Sequence, residues 1–180
     1  IMSASRRSSG GSSRIIRDGI MGNGSYTRLL SLLAFLTVFA LPLHAQTPEP
    51  IRYTVSFPAP HTHYVEIEAA IPTDGRAQIE LMMAVWTPGS YLVREYARHV
   101  EALTATDPAR AALPVEKSRK NRWRVTTNTA RTVWLRYRVY AHEMSVRTNW
   151  VDEEFALLNG AATFVTLVES PSRRAHEVRV

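Results

Sequence analysis

The chain has 180 residues, of which 45% are hydrophobic and 21% charged, the composition of a globular domain with an extension and not of a disordered chain. It contains no cysteine, which excludes disulfides and thiolate metal sites. The formal charge of +6 sits mostly in residues 1–45, with five arginines and one aspartate. The rest carries 17 basic and 15 acidic side chains, so the folded part lacks the basic excess of a nucleic-acid surface.

Residues 1–20 are rich in Ser, Arg and Gly and read as a disordered or spurious extension, with Met21 as the expected start. Arg28 then precedes an apolar run, Leu29 to Leu43, followed by His44 and the small Ala45. Basic start, short apolar run and small residue are the parts of a secretory signal, expected over residues 21–45 with cleavage after Ala45. The run is shorter than the roughly 20 apolar residues of a membrane span. The expectation is an exported protein, periplasmic or secreted, that meets a membrane only through its signal.

The mature part, residues 46–180, shows apolar alternation with period two. Ile51, Tyr53, Val55 and Phe57 form the first run, and Pro58 and Pro60 stop it. Val65, Ile67, Ala69 and Ile71 form the second, closed by Pro72 to Gly75. Ile79, Leu81, Met83 and Val85 form the third, ending at Trp86. Pro88-Gly89 then suits a type II turn, with Pro88 presetting φ and Gly89 accepting a positive one, and Trp86 is expected to be buried beside it. Val93, Ala97 and Val100 share one helical face, so Leu92–Leu103 is expected to be helical. Residues 107–118 read as a long hairpin connection. Arg122 to Val125 is a short strand, and Val133, Leu135, Tyr137, Val139 and Ala141 make the clearest one. Asp152–Leu158 suits one short helical turn, and Asn159-Gly160 is a tight-turn signal. The fold expected is all-β, an antiparallel β-sandwich or curved sheet with at most one or two short helices. His176 to Val180 opens an alternating strand at the end of the sequence, so the domain is expected to be C-terminally truncated, with an unpaired edge prone to aggregation.

Chemistry-bearing motifs are few. His61 and His63 would share one face of a strand, but no third metal ligand is fixed beside them. A zinc hydrolase of the H-E-x-x-H type needs two histidines four apart on a helix with a glutamate between. After His142-Glu143 and His176-Glu177 the fifth positions are Val146 and Val180, so neither pair completes that motif. Nucleophile elbows, phosphate loops and dinucleotide fingerprints are absent from the sequence. Lys117 to Arg124 is basic with one aromatic, Trp123, and reads as a solvated hairpin strand with a core tryptophan.

The stretch from Trp86 to Glu95 nevertheless has a distinctive wording. With Lys117–Val125, Tyr137–Ala141 and Ser145–Phe164, in that order, it resembles the N-terminal domain of the PDZ-containing glycyl aminopeptidases, gluzincin zinc metallopeptidases of peptidase family M sixty-one. The residues matching its signatures include Trp86, Pro88, Gly89, Ser90, Tyr91, Arg94, Trp123 and Asp152, for which a structural role is expected. The resemblance implies a non-catalytic β-domain that packs on its own catalytic domain and borders the substrate cleft. Asn159, Gly160 and Tyr91 are then the expected contacts to peptide substrates. It also implies a zinc ion in a catalytic domain, followed by a PDZ domain, and neither domain has a counterpart in these residues. No catalytic or metal-ligating residue and no cofactor is expected in this chain, which should be inactive alone, and nucleic acid is not an expected partner.

A different class of function stays open on the same residues. A stand-alone exported β-sandwich could bind peptide or glycan on an aromatic platform of Tyr91, Trp123, Trp134 and Trp150.

Overall fold

The structure, a computed structural model, describes residues 48–90, 92–168 and 174–180. The expected extension, the signal with its cleavage point, and Tyr91 lie outside the described residues. Residues 46–180 form one compact unit of two packed sheets.

The larger sheet contains β1 (Ile51–Ser56), β2 (Tyr64–Pro72), β4 (Val100–Thr106), β5 (Ala112–Leu113), β8 (Thr132–Tyr140) and β12 (His176–Arg179), in the order β12-β1-β2-β8-β4-β5. The smaller contains β3 (Gln78–Met83), β6 (Val115–Arg119), β7 (Arg122–Thr126) and β11 (Val165–Leu167), in the order β11-β3-β7-β6. A two-residue pair, β9 (Trp150–Val151) with β10 (Ala156–Leu157), makes a separate ribbon. Pairing is antiparallel except between β12 and β1, which run parallel. One α-helix, α1 (Gly160–Thr163), and two short 3-10 turns complete the described chain.

The period-two reading explains the core. Ile51, Tyr53 and Val55 of β1 face inward with Val65, Ile67, Ala69 and Ile71 of β2 and Val133, Leu135, Tyr137 and Val139 of β8. They meet Ile79, Leu81 and Met83 of β3 and Trp123 and Val125 of β7, so one face of each sheet is dry. Each large apolar side chain sealed this way contributes about 2 kcal/mol. Two tyrosines also stitch the sheets together. The Tyr53 hydroxyl donates to the Val165 carbonyl at 3.0 Å. The Tyr137 hydroxyl donates to Thr163 O at 3.1 Å and accepts from Val165 N at 3.1 Å.

Five local expectations are corrected. Leu92–Leu103 is not a helix: a 3-10 turn spans Tyr96–His99, and β4 starts at Val100. Val93, required for the apolar helical face, is exposed, whereas Ala97 is buried, so no continuous dry stripe exists to hold a helix. Residues 107–118 are not one long hairpin connection, because they contain β5, which pairs with β4, and most of β6, which pairs with β7. Asp152–Leu158 is not helical: Asp152 caps the bend leading into β10. Asn159-Gly160 is not a hairpin turn, since Asn159 is the N-cap of α1. His61 and His63 do not share a strand either, because Pro60–Thr62 is a 3-10 turn that His63 closes at φ 61°.

Candidate functional site

Three loops meet at one end of the sandwich: residues 84–95, residues 143–149, and residues 152–159. In the first, Ser90 N donates to Thr87 O at 3.1 Å with Gly89 at φ 79°, the turn expected from Pro88-Gly89. A Cβ on Gly89 would meet nothing within 4 Å, so glycine is required there by backbone conformation and not by crowding. Ser90 is buried, and Arg94 N donates to Val85 O at 2.8 Å, which closes the loop onto the end of β3. The Trp86 ring departs from expectation and is 48% exposed. Leu92 and Val93 are exposed beside it in sequence.

The second loop is held by its own hydrogen bonds. Glu143 N donates to Asn149 O at 3.0 Å, the Thr148 hydroxyl donates to Glu143 O at 2.6 Å, and Ser145 Oγ lies 2.7 Å from Thr148 Oγ1. Met144 and Val146 project from it into solvent. The third loop hangs on Asp152. Its carboxylate accepts from Trp150 Nε1 at 2.8 Å and from the backbone N–H groups of Glu154 and Phe155, each at 2.9 Å. The Phe155 N–H, then the Trp150 indole, hold the Asp152 carboxyl below the usual carboxylate range.

Asn149 and Asn159 join the second and third loops. The Asn159 side-chain oxygen accepts from Ala161 N at 3.0 Å, capping α1, and its amide donates to Val146 O at 3.0 Å. Asn159 therefore has a structural task whatever else it touches. Gly160 opens α1, and a Cβ there would make only an ordinary 3.7 Å contact with the Phe164 ring. Trp123 is buried in the core, as expected, with the Lys117 ammonium 5.0 Å above its ring.

Sequence reasoning missed a ring cluster at this end. His63 stacks on His142 with centroids 3.7 Å apart and planes 12° from parallel, and Trp150 lies 4.7 Å from His142. His63 Nδ1–H donates to Val151 O at 2.7 Å, which fixes its tautomer. Parallel stacked rings cannot both aim nitrogens at one ion between them. Among the described residues no group of three His, Cys, Asp or Glu side chains could hold a metal. Among the described residues, then, no set of side chains fits a zinc ion, which the resemblance places in a catalytic domain.

A cleft of about 250 Å³ opens beside this cluster, lined among others by Tyr96, His99, His142, Glu143 and Asn149. The Tyr96 hydroxyl is buried there without a hydrogen-bond partner. Burial, and then the Arg98 charge, pull the His99 pKa down, so its imidazole favours the neutral form.

The aromatic platform does not assemble. Trp123 is 5% exposed inside the core, and Trp134 lies on the outer face of β8 with the Arg110 guanidinium 5.3 Å from its ring. Trp150 is engaged by His142 and Asp152. No helix of the described residues is long and apolar enough to cross a membrane.

Comparison with known proteins agrees with the resemblance. The family described as Peptidase M61 N-terminal domain matches residues 52–180. Among solved structures, a crystal structure of an aminopeptidase N family protein from Idiomarina loihiensis is similar, with 29% identity and a TM-score of 0.61 over 66% of this chain. The chain spans only 20% of that protein's length. No curated protein matches.

Proposed function

The chain belongs to the Peptidase M61 N-terminal domain family, and from that premise we propose that it is the non-catalytic β-domain of an exported zinc-dependent aminopeptidase. In this reading the domain packs on the catalytic domain and borders the peptide cleft. The parent would remove small N-terminal residues such as glycine or alanine, the preference that the family resemblance implies. Zinc and its ligands would belong to the catalytic domain, and no step of the hydrolysis is assigned to this chain.

The observation that carries the docking part is the apolar end of the sandwich. Leu92 and Val93 on the first loop, Met144 and Val146 on the second and Phe155 on the third all expose large apolar surface. Leu92 and Val93 line one shallow cleft with Glu143 and Thr148, and the Asn159 amide ties the third loop to Val146. Apolar side chains gathered on hydrogen-bonded loops suit a preformed interface, not a loose surface. Asn159, Gly160 and Tyr91 remain the proposed substrate-side contacts, with the Asn159 amide, beside Val146, carrying one hydrogen beyond its bond to that carbonyl.

The test is recovery of the native polypeptide with an antibody raised against residues 48–168. The expected product is a longer chain with about one zinc per molecule that hydrolyses glycyl- or alanyl-p-nitroanilide and loses activity to a chelator. A recovered polypeptide without zinc and without aminopeptidase activity would overturn the reading.

A further inference from the structure

Between the Trp86–Glu95 loop and the turn joining β6 to β7 lies a cleft of about 430 Å³. Its apolar lining comes from Val85, Val93 and Ala97, and four cations line it as well: Arg94, Arg98, Lys117 and Lys120. Glu95 is the one carboxylate in the lining, and Lys120 takes it at 2.8 Å. The other three cations have no carboxylate partner among the described residues. Arg98 Nε donates to His99 Nε2 at 3.1 Å and forms no ion pair, though its charge reaches Glu95 from further off and helps to lower that carboxyl's pKa. Lys117 rests on the Trp123 ring. Arg94 has its Nε–H buried without an acceptor.

We propose that this cleft binds the free C-terminal carboxylate of a short peptide whose last side chain is apolar. Guanidinium groups match carboxylates in shape and charge, and a concave cationic surface raises the local concentration of anions. The apolar lining gives the adjoining side chain a place to leave water, the usual division of labour in a small-ligand site. The anion chemistry stands on these residues alone, whereas the choice of a peptide as its carrier rests on the aminopeptidase reading.

The test is a titration of the ¹⁵N-labelled full chain with the tripeptide Gly-Gly-Leu as free acid, with its C-terminal amide, and with inorganic phosphate. The free acid is expected to shift the amide signals of Val85, Val93, Ala97 and Asn121. The C-terminal amide should bind about tenfold more weakly, the loss expected when one charge-assisted pair is removed. Replacing Arg98→Gln together with Lys117→Gln should erase that preference while the chain still unfolds cooperatively, with only the small drop in melting temperature that loss of the Lys117–Trp123 contact brings. Equal affinity for acid and amide, or shifts that map elsewhere, would overturn the proposal without reference to any variant. Phosphate binding as tightly as the peptide acid would overturn it too, as an adventitious ion only. The titration reads neither zinc content nor chain length, so this proposal and the aminopeptidase reading can fail separately.

Discussion

Asn149 reaches Asn159 through a single buried amide. Its side-chain oxygen accepts the Asn159 backbone N–H at 2.8 Å, while its nitrogen donates to the Ala162 carbonyl at 3.0 Å. Thr163 Oγ1 lies 3.2 Å from the same oxygen. One side chain thereby satisfies groups at both ends of α1 and sets how the third loop leaves the second. Truncation would leave the buried Ala162 carbonyl and the half-buried Asn159 N–H unpaired. Asn149→Ala should lower stability by about 3 kcal/mol in urea unfolding, and amide exchange should accelerate over residues 159–164. A loss within experimental error of zero would mean that water replaces the amide without cost.

Asn159 separates two roles by chemistry. As an N-cap it needs only a short side-chain acceptor, which serine also supplies. Asn159→Ala should cost about 1 kcal/mol, and Asn159→Ser should recover most of it. If the proposed aminopeptidase also uses the amide N–H toward substrate, the serine variant will fold normally yet show a raised KM. A serine variant with unchanged KM would confine Asn159 to capping.

Tyr53 and Tyr137 bind the two sheets through hydroxyls buried in the core, and burial raises both pKa values. A pKa higher in the folded than in the unfolded state gives stability that is complete below the unfolded value, near 10, and is lost as pH rises above it. Unfolding free energy should therefore be flat through neutral pH and fall above about pH 10. Of the seven tyrosines, these two should stay protonated until the chain unfolds, which absorbance at 295 nm would follow. Tyr137→Phe should remove about 2 kcal/mol and leave Val165 N without an acceptor. A smooth titration of every tyrosine in folded protein would contradict this.

The parts legible in the sequence were those where one face of a strand is dry along its whole length. In β8 period two survives for nine residues, and in β2 it holds from Tyr64 to Ala69, beyond which Ala70 and Pro72 are buried as well; every inward position of both is a core residue. The Pro88-Gly89 turn was legible because only one residue type takes its positive φ cheaply. In β4 the signal failed: Ala102 sits at φ 51° in a bulge, and the register shifts between Glu101 and Thr104, so alternation breaks inside the strand. β5, β9 and β10 are two residues each, too short for a period. The His63–His142 stack and the Asn149 hub were invisible for another reason. They join residues that the fold brings together from different loops, and no local spacing encodes that.

Val93 and Val146 are 70% and 80% exposed, so they contribute little to the domain's own stability. Val93→Lys with Val146→Lys should change unfolding free energy by no more than about 0.5 kcal/mol, the ordinary range for surface substitutions. In the proposed longer polypeptide the same pair should matter greatly, because two ammonium groups would have to be buried against the catalytic domain proposed to dock there. Hydrogen exchange reads the difference. Residues 84–95 and 143–149 should be slower to exchange in the longer polypeptide than in this chain, and the double variant should return them to the rate of this chain. Equal exchange in the two unsubstituted proteins would mean that this end faces water in both, and the docking surface would have to lie elsewhere on the sandwich.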